Sequence, residues 1–244
     1  MTEFNNGANA LVIGATGGIG RALVDALAAS GQFERVFATG RQPPIFTLPT
    51  VRALALDLTD ESSIQTAIEH AAQQPISLAI VATGLLHDGA SMRPEKTWRA
   101  ISPDAMARAF AVNCTGPSLV LKHLLPTLSR DARSVVACLS ARVGSIGDNR
   151  LGGWYAYRSS KAALNMMIKS ASIELARTHR AAVLLGLHPG TVDTPLSKPF
   201  QANVPDEALF SPERAAEQLL AVLEGCTPAQ SGLVLDWQGK AVPP

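Results

Sequence analysis

The sequence predicts an α/β fold: a doubly wound parallel sheet covered by helices on both faces, in three αβα layers. Short β-rich runs alternate with Ala/Leu-rich segments of helical period. The runs are continuously apolar, as strands buried on both faces should be. A glycine-rich turn follows the first run and opens the first helical segment. At 244 residues the chain suits one sheet of this class, which often runs to about 250, so residues 1–244 read as a single domain.

The elements follow in order. Ala10 to Gly14 (ALVIG) is the first strand, and Gly18 to Ser30 the first helix, with Ile19, Leu23, Ala26 and Leu27 on one face and Gly31 as its stop. Arg35 to Thr39, Val51 to Leu56, Leu78 to Ala82, Ser134 to Leu139 and Ala182 to Leu187 are the next strands. Helices are expected at Glu61 to Gln73, Pro103 to Leu128, Tyr155 to Thr178 and Pro212 to Glu224, with a last strand at Gly232 to Trp237. Ser91 to Ser102 is polar and irregular, and Pro195 to Phe210 reads as a loop-like insertion. No solenoid period and no low-complexity tract breaks the pattern.

Composition narrows the partners. Twenty-one Lys and Arg balance 20 Asp and Glu, with no block of like sign, so neither nucleic acid nor an anionic membrane surface is an expected partner. The longest apolar runs fall far short of the roughly 20 residues of a membrane helix. The three cysteines, Cys114, Cys138 and Cys226, have no metal-ligand or redox spacing, and none of the five histidines has metal-ligand spacing, so no metal is expected. A polar start, MTEFNNGANA, without a basic-then-apolar segment, gives no secretory signal, and a reducing cytoplasm is the expected location.

Gly14-Ala15-Thr16-Gly17-Gly18-Ile19-Gly20 sits where a strand meets a helix. Glycines there let the backbone turn tightly and approach a pyrophosphate, while free N–H groups and the helix dipole favour the anion. The spacing alone fits two triplets, Gly14/Gly18/Gly20 and Gly14/Gly17/Gly20. At the end of the second strand the chain reads Thr39-Gly40-Arg41, with no carboxylate between Arg35 and Val51. An Arg at that place suits the 2′-phosphate of NADP, where NAD would need an acid. Asp57, followed by Leu58, is placed for the adenine edge.

Tyr157 and Lys161 stand four apart on a long helix and share a face. A phenol of pKa near 10 is a poor acid–base catalyst at neutral pH, and a neighbouring ammonium pulls that value down. Asn113 lies in mid-helix, where its side chain can compete with backbone bonding and a kink can admit water. Pro189 and Gly190 form a turn at the end of a strand, exposing backbone groups at the carboxyl edge of the sheet.

In order, spacing and length these motifs resemble the short-chain dehydrogenase/reductase family, in its single-domain branch, over nearly the whole chain. Residues 144–165 (GSIGDNRLGGWYAYRSSKAALN) are similar to its C-factor-like and sniffer-like carbonyl reductase group. The resemblance implies a Rossmann-type fold binding NADP through Gly14, Thr16, Gly18, Ile19, Gly20, Arg41, Asp57 and Leu58. Ala82, Thr83 and Gly84 stand where the family usually carries Asn-Ala-Gly beside the cofactor. Pro189, Gly190, Thr191 and Val192 match the turn that meets the nicotinamide, with Thr194 near the pyrophosphate.

The resemblance further implies that Tyr157 is the acid/base, and that Lys161 lowers its pKa and holds the nicotinamide ribose. Asn113 would anchor a relay water. The family's serine, which binds the substrate carbonyl, falls on Ala141, leaving Ser140 as its expected replacement and Ser145 as the rival. Losing such a bond costs roughly 100- to 1000-fold in rate. The expected activity is NADPH-dependent reduction of a small carbonyl compound, or its reverse on an alcohol, by a homodimer or homotetramer. The alternative is an NADP-binding regulatory protein with weak catalysis.

Pro195 to Phe210 matches the segment that closes over the substrate, and Leu196, Phe200, Val204, Leu209 and Phe210 make an apolar or aromatic ligand the expected one. Tyr155 is expected to line the pocket.

Overall fold

The computed structural model describes residues 7–89 and 91–244. The first six residues, part of the polar start read above as carrying no secretory signal, lie outside the described residues. Seven parallel strands form one sheet: β1 (Asn9–Ile13), β2 (Arg35–Gly40), β3 (Val51–Ala55), β4 (Ile76–Val81), β5 (Ser134–Leu139), β6 (Ala182–His188) and β9 (Val234–Asp236), while β7 (Thr191–Val192) and β8 (Leu209–Phe210) form a separate pair. Their spatial order is β3-β2-β1-β4-β5-β6-β9. The direction of winding reverses between β1 and β4, and in such sheets ligands bind at the carboxyl ends beside that point.

Alternation along the strands divides the core in two. Ala10, Val12, Val36, Ala38, Leu78 and Ile80 point to one face, where they meet α1 (Gly18–Ser30) and α6 (Pro212–Gly225) through Leu23, Leu27, Leu219 and Leu223. Leu11, Ile13, Phe37, Ala79 and Val81 point to the other, against α2 (Glu61–Ala71), α4 (Gly116–Leu124) and α5 (Tyr155–Leu175). This is the expected αβα sandwich. Gly31, at φ 67°, ends α1 in the left-handed region that a side chain would resist.

Three expectations are corrected. The run Val51 to Leu56 is apolar but not buried on both faces: β3 is the edge strand, with Arg52, Ala53 and Ala55 exposed. Pro103 to Leu128 is not one α-helix: α3 (Pro103–Phe110) passes through a π-helical turn, 111–115, into α4. The cause is in the sequence, because Pro117 has no N–H to give the carbonyl of Asn113, its α-helical partner. Leu209 and Phe210 are not loop: they form β8, paired in parallel with β7 (Thr191–Val192), and Phe210 is buried against Trp237. The substrate segment is thus clamped at both ends, leaving residues 193–208 between the two short strands.

Candidate functional site

A cleft of about 700 Å³ opens at the carboxyl ends of the strands. Thr16, Gly18 and Ile19 line it from the start of α1, and Ala82, Thr83 and Gly84 from the end of β4. Pro189, Gly190, Thr191, Val192 and Thr194 line it beyond β6. Tyr157, Lys161, Ser140 and Ala141 complete the reacting side. Residues far apart in sequence therefore share one cavity. Gly14, Gly20, Arg41, Asp57, Leu58 and Asn113 stand outside its lining, as does Tyr155, contrary to the expectation for it.

Steric contact decides between the two glycine triplets. A Cβ on Gly20 would collide with the carbonyl oxygen of Gly14. One on Gly18 would meet Thr194 Cγ2 at 2.8 Å, and one on Gly14, at φ +91°, would meet Thr83 Cγ2 at 2.7 Å. A Cβ on Gly17 would approach only to 3.5 Å. The demanding positions are Gly14, Gly18 and Gly20. The first turn of α1 has no side-chain cap and no acid, so its free N–H groups open toward Gly18 and Ile19 in the cleft wall.

Beyond β2, Arg41 is exposed, and its charge, behind hydrogen bonds from Thr59, helps hold the Asp57 carboxyl below its ordinary value. Leu58 packs under α4, where a Cβ on Gly116 would meet it at 2.7 Å.

Asn113 is fully buried on the π-helical turn. Its Nδ2 donates to the carbonyl of Leu85 (2.8 Å) and to Ser160 Oγ (3.0 Å), and its Oδ1 accepts from Leu85 N–H (2.7 Å). Ser160 in turn donates to the carbonyl of Tyr157 at 2.9 Å. The amide thus ties the loop after β4 to the turn of α5 that carries Tyr157.

Lys161 is 2% exposed, and its Nζ donates to the carbonyl of Leu139 at 2.7 Å, with the ring of Tyr157 5.9 Å away. Burial lowers the ammonium to about 8, while the Cys138 and Cys114 thiols oppose the shift. The expected depression of the phenol is not what the protein alone produces. Burial pushes Tyr157 up to about 12, and so keeps its proton on at neutral pH.

The two serines expected to replace the family's serine are both hydrogen-bonded within the protein. Ser140 Oγ donates to Asn165 Oδ1 on α5 at 2.5 Å, and Ser145 Oγ donates to the carbonyl of Pro244 and accepts from Asp148 N–H. Both hydroxyls are engaged in these bonds, and Ala141 lines the cleft in an extended conformation with no hydroxyl to offer. His188 also lines the cleft. Burial, with the Arg142 charge, lowers it to about 4 against the pull of Asp236, so the ring is neutral at physiological pH.

The aromatic part of the wall was only half legible. Leu196, Phe200 and Val204 line the cleft as expected, whereas Leu209 and Phe210 do not. Trp154 is also in the wall: its ring lies 4.9 Å from that of Phe200 and 6.3 Å from that of Tyr157. It has φ 53°, the one non-glycine residue with positive φ among the described residues. Its neighbours Gly152 and Gly153, both at φ 65°, were the available signal for an irregular entry into α5. Among the described residues no group of His, Cys, Asp and Glu is arranged to hold a metal, and no helix is long and apolar enough to cross a membrane.

The family model described as short chain dehydrogenase matches residues 8–205. The C-signal protein of Myxococcus xanthus is 41% identical over 138 residues, covering 57% of this chain and 78% of that one. Among solved structures, the NADPH-bound carbonyl reductase from chicken fatty liver superposes with a TM-score of 0.84 at 26% identity, over 99% of this chain and 96% of the other. The carbonyl reductase Sniffer of D. melanogaster shares the fold, with a TM-score of 0.81 at 20% identity over 98% and 100% of the two chains. Cleft, glycine turn and the Tyr157/Lys161 pair agree with that match: the chain belongs to the short-chain dehydrogenase/reductase family and is an NAD(P)-dependent oxidoreductase.

Proposed function

We propose that this protein is an NADPH-dependent carbonyl reductase, reducing a ketone or aldehyde with Tyr157 as the proton donor. The observation that carries the reading is the cluster of Tyr157, Ser160 and Asn113, joined by hydrogen bonds, with Lys161 Nζ 5.9 Å from the Tyr157 ring, at the edge of a cleft whose other end is a glycine cradle. That cradle fits a dinucleotide: side chains are excluded at Gly14, Gly18 and Gly20, the start of α1 is uncapped, and buried Thr83 Oγ1 has no hydrogen-bond partner. Gly18, Ile19 and Thr194 would hold the pyrophosphate, Arg41 and Asp57 the adenosine end, and Pro189 to Val192 with Lys161 the nicotinamide end.

When bound, the cofactor supplies the hydride that reduces the carbonyl carbon. Tyr157 supplies the proton. Its high pKa in the protein alone keeps the phenol protonated at neutral pH, the state that donates to a carbonyl oxygen. Lys161, held near pH 8, can restore that proton from solvent through a water at Asn113. Both amide hydrogens of Asn113 are spent, yet its Oδ1 keeps a lone pair and faces the same edge of Gly84 as Lys161 Nζ. Its carbonyl, left by Pro117 without an α-helical donor, is the second anchor.

The second reading, a regulatory protein that binds NADP and turns over weakly, is favoured by Ala141 and by the commitment of Ser140 and Ser145 elsewhere. We carry over from the family a homodimer or homotetramer built on the long helices, where Met166, Met167 and Ile173 of α5 are exposed; light scattering tests it. The function is tested by fluorescence titration with NADPH and NADH on wild type and Arg41→Ala, with a carbonyl panel in the same cuvettes. NADPH preference lost in the variant, with turnover by wild type, supports the reductase. Tight binding without turnover supports the regulatory reading, and absence of binding overturns both.

A further inference from the structure

We infer that Trp154 determines specificity, selecting flat aromatic carbonyl compounds without a negative charge; the inference rests on the reductase reading. Trp154 bridges the acid and the covering segment. Its ring lies edge to face against Tyr157, at 71°, and touches Phe200 of the 193–208 segment at 4.9 Å. Phe200 meets the ring of His87 at 5.7 Å, and His87 Nε2 donates to the carbonyls of Pro195 (3.2 Å) and Leu196 (3.1 Å). Three rings from three separate segments thus form one wall leading to the phenol.

The backbone is arranged to hold that wall. Trp154 sits at φ 53°, where a bulky residue is strained, and its N–H donates to the carbonyl of Glu95 at 2.6 Å. The Glu95 carboxylate, 6% exposed, accepts from Ala156 N–H at the start of α5. Arg158 clamps the preceding turn through the carbonyls of Gly152, Gly153 and Val143. Nothing in α5 itself requires a tryptophan at this point, and its ring remains half-buried in the cleft wall.

Charge completes the selection. Histidines and Tyr157 aside, the titratable acid and base of the cleft lining among the described residues are Asp88 and Lys161. Lys161 is bound to Leu139, and Asp88 is a carboxylate paired with Arg108 at 3.0 Å. With Lys161 2% exposed, bonded to Leu139 and, on the reductase reading, covered by the nicotinamide ribose, a substrate carboxylate would find no accessible cation among the described residues of the lining. A flat ring gains aromatic contact with Trp154 and Phe200, worth about 2- to 10-fold per pair beyond its area.

The test is kcat/KM for three aldehydes of similar size, namely benzaldehyde, cyclohexanecarbaldehyde and 4-carboxybenzaldehyde, in wild type, Trp154→Phe, Trp154→Asn and Phe200→Leu. Asn accepts the positive φ and removes the ring. The expected result is a benzaldehyde to cyclohexanecarbaldehyde ratio that falls about tenfold in Trp154→Asn, falls less in Phe200→Leu and survives in Trp154→Phe, with 4-carboxybenzaldehyde the poorest substrate throughout. A ratio unchanged by Trp154→Asn, or equal losses on both neutral aldehydes, overturns the inference, since the ring would then only support Tyr157. If Trp154→Asn does not fold, an unchanged ratio in Phe200→Leu overturns it. Turnover of none of the three by wild type that binds NADPH overturns the reductase reading itself, and this inference with it.

Discussion

Asn113 and Leu85 exchange two hydrogen bonds, the side-chain amide of one with the backbone N–H and carbonyl of the other, at 2.7 and 2.8 Å. The pairing holds the loop after β4 against the π-helical turn, and the third bond, to Ser160, extends it to α5. Asn113→Ala leaves the half-buried N–H and carbonyl of Leu85 without their partner, at about 1–2 kcal/mol each. Urea denaturation of Asn113→Ala is expected to show a loss of about 2–4 kcal/mol, and Asn113→Asp, which keeps the acceptor and loses the donors, a comparable loss. A change below 1 kcal/mol in both would mean the amide is not what holds the two segments.

The glycine turn makes a contrast of neighbours. Gly20→Ala places a methyl against the backbone of Gly14 and is expected to cost about 3 kcal/mol, with NADPH binding lost. Gly17→Ala, at φ −80° with 3.5 Å of clearance, is expected to leave both the melting temperature and NADPH affinity near wild type. Thermal melts and fluorescence titration on the pair check this.

How much of this was legible in advance depended on how local the cause was. α1 falls on Gly18–Ser30, the bounds its apolar spacing and Gly31 predicted. The strands were readable because burial on both faces leaves continuous apolar runs, but nothing in VRALAL says that β3 is at the edge, which depends on strand order. The pairing of Thr191 with Leu209 joins residues too distant for any pattern. Asn113 was readable as a disruption in a helix, and Pro117 nearby gives its cause. The bond from Ser140 to Asn165 was not readable, because it depends on how a hydroxyl on one element meets an amide on another.

Lys161 gives the pH dependence of stability a sign. The folded ammonium titrates near 8 and the unfolded one near 10.5, so between these values the unfolded chain holds a proton that the folded protein has released. Stability from this group therefore rises with pH across that window, by about 3 kcal/mol, and its full cost is present below pH 8. Lys161→Met is expected to be more stable than wild type at pH 7.5, with the difference shrinking toward pH 10.5. Urea midpoints across that range check it, and a pH-independent difference would contradict it.

His188 acts at the acid end. Its folded value near 4, against 6.5, means that the unfolded chain takes up a proton first as pH falls. Stability is lost between pH 6.5 and 4, by about 3 kcal/mol. His188→Gln is expected to flatten that limb, as followed by denaturant melts at pH 7, 5.5 and 4.5.

Ala141 offers a gain of function. The position lines the cleft in extended backbone that any residue adopts, so Ala141→Ser returns a hydroxyl where the family carries one. On the reductase reading, kcat for an aldehyde is expected to rise by about 10- to 100-fold, somewhat under the full value of an oxyanion-type donor. An unchanged kcat would mean that another group already fills the role.

The proton donor is the centre of the proposed chemistry, and Tyr157→Phe tests it most directly, with NADPH affinity and aldehyde turnover measured on the same preparation. The ring and its packing remain, and only the hydroxyl is lost. The expected result is kcat/KM reduced by about 100-fold or more with NADPH affinity within threefold of wild type. Turnover by Tyr157→Phe equal to that of wild type would contradict the assignment of Tyr157 as the acid.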